Sequence, residues 1–471
     1  MIAFKIVMKF GGTSLGDASS VRHVADLICR YFQMGYKVVV VSSASSGVTD
    51  ELLNMCEESL KDETLIADRV GELFERHIRM AEKSIENGEY LNSVLKILNS
   101  FKGQLEKLLH GIHYVKEVTP RVRDHVASFG EVISTPILWG CLNSIGVKAE
   151  WLTGWDAGIV TDSNYGEARP FIELSKLQLR NKLLPMIDKG VVPLVTGYIA
   201  KSQDGSITTL GRGGSDYTAT LIAAALKADE VWLWTDVDGL MTADPKIEPS
   251  AKTIEELSFE EAVEMTILGA KRMHPRALEP AIAENIPVRI RNTFNPENPG
   301  TLITSKPSKS KDVVRAITVA RDVGLINVQG FGMVGTPGTA ARIFQILGRA
   351  NINVMMIAQT VSESNISIVI PRKMLMKAVS LLETALLGTD LVRSVSYESD
   401  VAVVAAIGSG MRGKPGTAAR IFKAVANEGV NIIMIAQGSS ELNISIVVKN
   451  SECEKAVRAI HREFDLGRQV I

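Results

Sequence analysis

Beyond residue 312 the chain repeats itself at an offset of 78 residues, and no gap is needed. Pro337-Gly338-Thr339-Ala340-Ala341-Arg342-Ile343-Phe344 recurs as Pro415-Gly416-Thr417-Ala418-Ala419-Arg420-Ile421-Phe422. Asn353 matches Asn431, Met356-Ile357-Ala358-Gln359 matches Met434-Ile435-Ala436-Gln437, and Asn365-Ile366-Ser367-Ile368 matches Asn443-Ile444-Ser445-Ile446. Self-similarity of this length means two copies of one supersecondary unit. Each copy reads strand, Pro-Gly turn, helix, strand, strand, helix, a small ferredoxin-like α+β sandwich. The first copy ends in a further strand at 392–396. The second ends in the helix at 453–464, and its missing strand has a counterpart upstream, at 314–318. The expectation is therefore a first unit (322–399) inserted into a second (313–321 plus 400–471). Four-stranded units leave open edges that tend to pair, so side-by-side units, within or between chains, are expected.

A Lys/Ser/Pro-rich stretch at 305–312 separates this pair from residues 1–304, which read as a domain of their own. There, continuous apolar runs alternate with helical periodicity, the mark of a mostly parallel open sheet with helices on both faces. The first run ends in Met8-Lys9-Phe10-Gly11-Gly12-Thr13-Ser14, a strand stopping at a glycine turn. Without a Cβ, such glycines let backbone N–H groups face an anion closely. The run at 37–41 ends in a hydroxyl-rich loop, Ser42 to Asp50, read as a substrate loop because open α/β sheets bind ligands beyond their carboxyl strand ends. A strand at 191–195 precedes Leu210-Gly211-Arg212-Gly213-Gly214-Ser215-Asp216, which opens an Ala-rich helix. Free amides at that helix start suit phosphate, and Arg212 suits bidentate capture of a carboxylate. A strand at 230–234 ends in Thr235-Asp236, and Lys271-Arg272 places two cations at a helix break. Within the helix that starts at Thr119-Pro120, Glu131 beside Gly130 could meet an ammonium group.

Length and composition bound the alternatives. The chain has 471 residues, enough for two to four domains, and 46% hydrophobic against 22% charged residues mark it as globular. A net charge of −1 disfavours a nucleic-acid surface. No apolar run reaches the ~18 residues that span a bilayer. The four cysteines, Cys29, Cys56, Cys141 and Cys453, are scattered, which points to reduced thiols and a cytoplasmic location. His110-x-x-His113 has no neighbouring carboxylate or cysteine in sequence, so it is not read as a metal site.

Taken together, these motifs resemble the aspartate kinases along essentially the whole chain: an amino-acid-kinase fold followed by two ACT domains. The set is Lys-Phe-Gly-Gly-Thr-Ser, Ser-x-Gly-Val-Thr, Phe-Gly-Glu, Gly-Arg-Gly-Gly-Ser-Asp, Thr-Asp-Val-x-Gly, Asp-Pro-Lys and the repeated pair. The resemblance implies ATP-dependent phosphorylation of the β-carboxylate of L-aspartate. It implies that Lys9, Phe10, Gly11, Gly12 and Ser14, with Gly213, Gly214 and Ser215, hold phosphates. Lys9 would lie closest to the moving group and Lys271 would be a second such cation. Thr235, Asp236, Met241, Lys246 and Arg272 would surround the nucleotide. Thr49, Glu131 and Arg212 would hold aspartate, and Asp216 would orient Lys9 or the magnesium shell. Mg2+ would arrive with ATP, with no side-chain ligand assigned. Met241 stands where many relatives carry Tyr, and Arg272 where many carry Val; neither belongs to the phosphate core. The ACT pair implies feedback by an end-product amino acid through Gly335, Pro337, Asn353, Gln359, Pro415, Asn431 and Gln437. Threonine is favoured, because the two glutamines resemble threonine-sensitive relatives. A homodimer or dimer of dimers through the ACT domains is implied. The rivals are a kinase of glutamate or acetylglutamate and a non-catalytic amino-acid sensor.

Overall fold

A computed structural model describes residues 4–267, 273–307 and 312–468. The chain forms two compact units. One comprises Met1–Leu240, Glu255–Phe259 and Arg272–Pro307; the other comprises Met241–Ile254, Glu260–Lys271 and Ser308–Ile471.

In the first unit the strands are β1 (Lys5–Phe10), β2 (Lys37–Ser42), β3 (Ala149–Leu152), β4 (Val160–Thr161), β5 (Val192–Thr196), β6 (Ile199–Ser202), β7 (Ile207–Thr209), β8 (Glu230–Thr235), β9 (Glu256–Ser258), β10 (Val288–Asn292) and β11 (Thr301–Thr304). Eight of them form one sheet in the order β3-β5-β2-β1-β8-β10-β11-β9, parallel except for the β10–β11 pair. The short β4, β6 and β7 make a separate three-stranded sheet. β1 is flanked by β2 on one side and β8 on the other, with registers Lys9↔Val41 and Lys9↔Leu233. The strand order reverses around β1, so the crevice beyond its carboxyl end is a topological switch point.

The helices follow local signals in the sequence. In α1 (Ala18–Gln33) the Asp17 carboxylate caps the Ser20 N–H at 2.8 Å. Three helices follow β2: α2 (Val48–Lys61), α3 (Leu65–Ser84) and α4 (Gly88–Val115). The capping Thr119 and N1 Pro120 open α5 (Pro120–Ser144), which is buried along most of its length. After the short α6 (Gly154–Ala157) and α7 (Ile172–Asp188) comes α8 (Gly214–Leu226), almost wholly buried, which accounts for its run of small side chains. α9 (Phe259–Ile267) belongs to the second unit from Glu260 onward, and α10 (Glu279–Ala283) returns to the first.

In the second unit the repeat is visible residue by residue. The strands β12 (Ala316–Gln329) and β15 (Ser394–Ile407) are 14 residues each and run antiparallel along their whole length. Between them lie α11 (Thr339–Arg349), β13 (Met356–Gln359), β14 (Asn365–Pro371) and α12 (Leu375–Leu386); after β15 come α13 (Thr417–Asn427), β16 (Met434–Ala436), β17 (Asn443–Lys449) and α14 (Cys453–Glu463). The sheet order is β13-β14-β12-β15-β17-β16. The first part of β12 pairs beside the second copy (Ala316↔Ile407, Thr318↔Ala405), and its second part lies in the first copy (Leu325↔Val369, Val328↔Ile366). β15 does the reverse, pairing Val395 with Val328 before joining β17 through Val403↔Val447. The crossover falls at the exposed Arg321 and Asp322, where the register shifts. The glycines obey the same symmetry: a Cβ on Gly330 would sit 2.0 Å from the Leu391 carbonyl, and one on Gly408 would sit 2.5 Å from that of Val313.

Residues 241–254, contiguous in sequence with β8, pack with this second unit. Ala243 and Ile247 join its core with Ile317, Val404 and Ile460, and the Thr242 hydroxyl lies 3.0 Å from the buried His461 Nε2. Among the described residues, no helix is long and apolar enough to cross a membrane.

Candidate active site

Lys9 is the next-to-last residue of β1, and its ammonium lies 2.5 Å from Asp216 Oδ1 in the first turn of α8. The two side chains are 14% and 8% exposed, so this is a largely dehydrated pair. A Cβ built on Gly11 would lie 3.6 Å from Lys9 Nζ, so the absent side chain leaves the approach to that ammonium clear. Gly12 is a steric requirement: a Cβ there would come within 2.9 Å of the Ala44 carbonyl in the loop after β2. The N–H groups of Gly12 and Thr13 open the 3-10 turn Gly12–Leu15, where intrahelical partners are lacking. At α8 the N-cap is Gly213, left-handed at φ 71°, and no side chain caps the helix. The amides of Ser215 and Asp216 thus add to the helix-dipole field at the same strand ends.

The loops converge through short backbone contacts. Gly197 N–H donates to the Ser42 carbonyl at 2.8 Å, and a Cβ on Gly197 would collide with Ser215 at 2.6 Å. Ala44 lies between two of the motifs. Its carbonyl crowds Gly12, its methyl crowds Gly130, and its N–H donates to Glu131 Oε1 at 3.3 Å. Glu131 is 2% exposed and its Oε2 has no hydrogen-bond partner. Burial pushes its carboxyl up to about 8, against the opposing pull of the Ala44 N–H. A buried carboxyl with one unpartnered oxygen is a group awaiting a polar partner. The Thr49 hydroxyl lies beside Gly130; Thr49 is the second residue of α2, so the loop expected over Ser42 to Asp50 is already helical there.

Other expected residues stand differently. Phe10 is fully buried and stacks on Trp234 with ring centroids 5.8 Å apart, so it can offer a ligand only its backbone. Ser14 is also fully buried, and its hydroxyl pairs with Thr293 Oγ1 at 2.6 Å instead of facing the glycine amides. Thr235 and Asp236 hydrogen-bond each other at the end of β8. Met241 and Lys246 belong to the second unit. Lys271 and Arg272 lie outside the described residues. Gly335 and Gly413, equivalent in the repeat, both have left-handed backbones, and their N–H groups donate to Glu363 and Glu441. Pro337 and Pro415 sit just before left-handed Gly338 and Gly416. Asn353, Asn431, Gln359 and Gln437 are all exposed near the outer strands β13 and β16. His110 does have a carboxylate neighbour, Glu63 at 2.9 Å, supplied from across the helical layer. Among the described residues no group of three or more His, Cys, Asp or Glu side chains is placed to hold a metal.

Three residues escape sequence reading. Tyr198 holds a left-handed backbone at φ 65° and lies against Gly214, where a Cβ would meet its ring at 2.8 Å. Its phenol is pushed up to about 12 by burial. His274 supports Gly213 from behind, 2.5 Å from where a Cβ would be. Asp124 is a buried acid two helical turns before Glu131 on the same face of α5; that spacing is its one visible signal. Nothing in the sequence marks Tyr198.

The profile of the amino acid kinase family matches residues 4–292, and that of the ACT domain matches 326–386 and 404–464. Aspartokinase 1, chloroplastic, of Arabidopsis thaliana is 34% identical over 466 residues, covering 97% of this chain and 80% of that protein. A Zea mays bifunctional aspartokinase/homoserine dehydrogenase is 32% identical, and the chain spans about half of it (51%). Escherichia coli aspartokinase III, solved with aspartate and ADP in an R-state, superposes with a TM-score of 0.80 at 29% identity over 98% of this chain and 99% of that one. The same protein with lysine and aspartate in a T-state gives 0.75 at 30% identity, with the same coverage. With a buried lysine–aspartate pair at the switch point, glycine amides around it and a doubled ACT fold later in the sequence, the chain belongs to the amino acid kinase family and, within it, to the aspartate kinases.

Proposed function

We propose that this enzyme transfers the γ-phosphoryl group of ATP to the β-carboxylate of L-aspartate, giving 4-phospho-L-aspartate and ADP. That is the first step toward lysine, threonine and methionine. A β-carboxylate oxygen bonds to the γ-phosphorus, and the bond from that phosphorus to the bridging β,γ-oxygen breaks. No general base is required, because the acceptor is ionised at neutral pH. The chemical task is to align two anions and neutralise the charge between them. The observation that carries the reading is the Lys9–Asp216 pair beside Gly11, with unsatisfied Glu131 across Ala44 from Gly12. Lys9 meets the moving phosphoryl group, and Asp216 holds it in place. The amides of Gly12 and the α8 start take phosphate oxygens, helped by Gly213, Gly214 and Ser215. Glu131 takes the substrate ammonium, Arg212 a carboxylate, and Thr49 a further polar contact. Thr235 and Asp236 belong to the nucleotide set by resemblance. Mg2+ enters with ATP and keeps several waters. A hydroxamate assay for acyl phosphate over aspartate, glutamate and acetylglutamate tests the reading; product with aspartate alone is expected. Arg212→Ala is expected to raise the aspartate KM by about 10²-fold with a smaller effect on kcat, since it removes a ground-state contact.

The ACT pair makes this a feedback-controlled enzyme whose effector favours one of two arrangements. Exposed Gln359 and Gln437, with the Pro-Gly turns, Asn353 and Asn431, support threonine as that effector. Titrating threonine and lysine separately into the assay should give inhibition by threonine at the lower concentration; inhibition by lysine alone counts against it. The outer strands β13 and β16 carry half-exposed Ile357 and Ile435, which suits a homodimer or dimer of dimers built through this sheet. The four cysteines are all unpaired, in keeping with the reducing cytoplasm.

A further inference from the structure

Arg212 is exposed, and among the described residues no hydrogen bond or ion pair holds its guanidinium. It sits between two left-handed glycines, Gly211 at φ 75° and Gly213 at φ 71°. Glycine backbone is the least constrained of all. Where the guanidinium goes is therefore decided by whatever fixes the backbone on either side.

One buried carboxylate does much of that fixing. Asp124, 3% exposed, accepts the Thr209 N–H at 2.8 Å and the Gly166 N–H at 2.9 Å on Oδ2, and the Thr209 hydroxyl at 2.8 Å on Oδ1. Thr209 is the last residue of β7, three before Arg212. Gly166 belongs to the turn on which Gly211 rests: a Cβ on Gly211 would lie 3.1 Å from the Gly166 carbonyl and 3.2 Å from Glu167 Cγ. The two segments are tied again by Ala168 N–H donating to the Thr209 carbonyl at 2.9 Å. Both supports of the arginine's glycine hinge thus end on the same two oxygens. Asp124 also shares α5 with Glu131, two turns away on one face. One rigid helix carries both the acceptor for the substrate ammonium and the brace for the arginine.

We propose that Asp124 is the positioning residue of Arg212: it fixes the separation between guanidinium and Glu131, and so the fit to a dicarboxylic amino acid. The proposal deepens the functional reading above and rests on Arg212 and Glu131 holding the amino-acid substrate.

Steady-state kinetics on the full-length enzyme tests it with Asp124→Ala, Asp124→Asn, Arg212→Ala and the double variant Asp124→Ala/Arg212→Ala. Misplacing a contact by about 1 Å can cost up to ~10²-fold, so Asp124→Ala should raise the aspartate KM at least about tenfold, with the ATP KM within about twofold. Asp124→Asn should restore the aspartate KM to within about threefold of wild type, because its amide oxygen can accept both backbone N–H groups while its NH2 donates to the Thr209 hydroxyl. Adding Asp124→Ala to Arg212→Ala should raise the aspartate KM no further, the non-additivity of groups acting through one another. A general loosening of the folded site would raise both KM values and add to Arg212→Ala; either outcome, or an unchanged aspartate KM in Asp124→Ala, overturns the proposal. An unchanged aspartate KM in Arg212→Ala alone instead removes Arg212 from the substrate site. If Asp124→Ala does not fold, Thr209→Val deletes just the hydroxyl donor; about a threefold rise in the aspartate KM alone is expected, and none overturns the inference.

Discussion

Lys9→Ala is expected to lower kcat by about 10³-fold, equivalent to about 4 kcal/mol of transition-state stabilisation. The KM values for ATP and aspartate should move less than about fivefold, since the ammonium acts most where charge develops between the reactants. The substitution has a second consequence. It leaves Asp216, buried at the start of α8, without its 2.5 Å partner. Lost stability could then be mistaken for lost chemistry. Lys9→Ala/Asp216→Asn separates the two, because it removes the unpaired charge while still lacking the cation. If acyl phosphate appears at the wild-type rate in either variant, Lys9 does not serve the transfer.

The second large effect concerns Glu131, whose carboxyl burial pushes up to about 8, which favours the protonated form at neutral pH in the ligand-free site. Binding a substrate ammonium requires the ionised form. The aspartate KM should therefore fall as pH rises from 6.5 toward 8 and level off above it, by up to about tenfold per pH unit on the steep part. Glu131→Gln should abolish that slope and raise the aspartate KM by about 10²-fold at pH 8. The stability effect runs oppositely. The folded-state carboxyl titrates above its unfolded value, so its favourable contribution is complete below the ordinary carboxylate range and is lost as pH rises toward 8. Glu131→Gln should accordingly raise Tm at pH 8 and leave it nearly unchanged at pH 5. A wild-type KM flat across this range, with no gain in Tm for the variant, removes Glu131 from the substrate site.

The parallel sheet was legible because its strands are continuous apolar runs, and their loops because glycine and serine punctuate the strand ends. The segment expected at 314–318 lies 78 residues ahead of its counterpart at 392–396, and β12 begins within it, at Ala316, where it pairs with β15. Side-chain direction was not legible. Lys-Phe-Gly-Gly-Thr-Ser reads as one block, but a strand turns Lys9 and Phe10 to opposite faces, so Phe10 packs on Trp234 while Lys9 meets Asp216. Ser14 follows the turn inward to Thr293, a partner 279 residues away that no local pattern announces. The burial of Glu131 depends on the loop after β2 folding over α5, again a matter of tertiary packing. The resemblance placed Met241 and Lys246 at the nucleotide, but their neighbours Ala243 and Ile247 join a core assembled from the far end of the chain.

The exchange of strand segments at Arg321 and Asp322 has an architectural consequence. Neither repeat owns a whole sheet, so neither can be excised, swapped or lost by itself without leaving an unzipped edge in its twin. The two copies are braided into one sheet and stand or fall as a single folding unit.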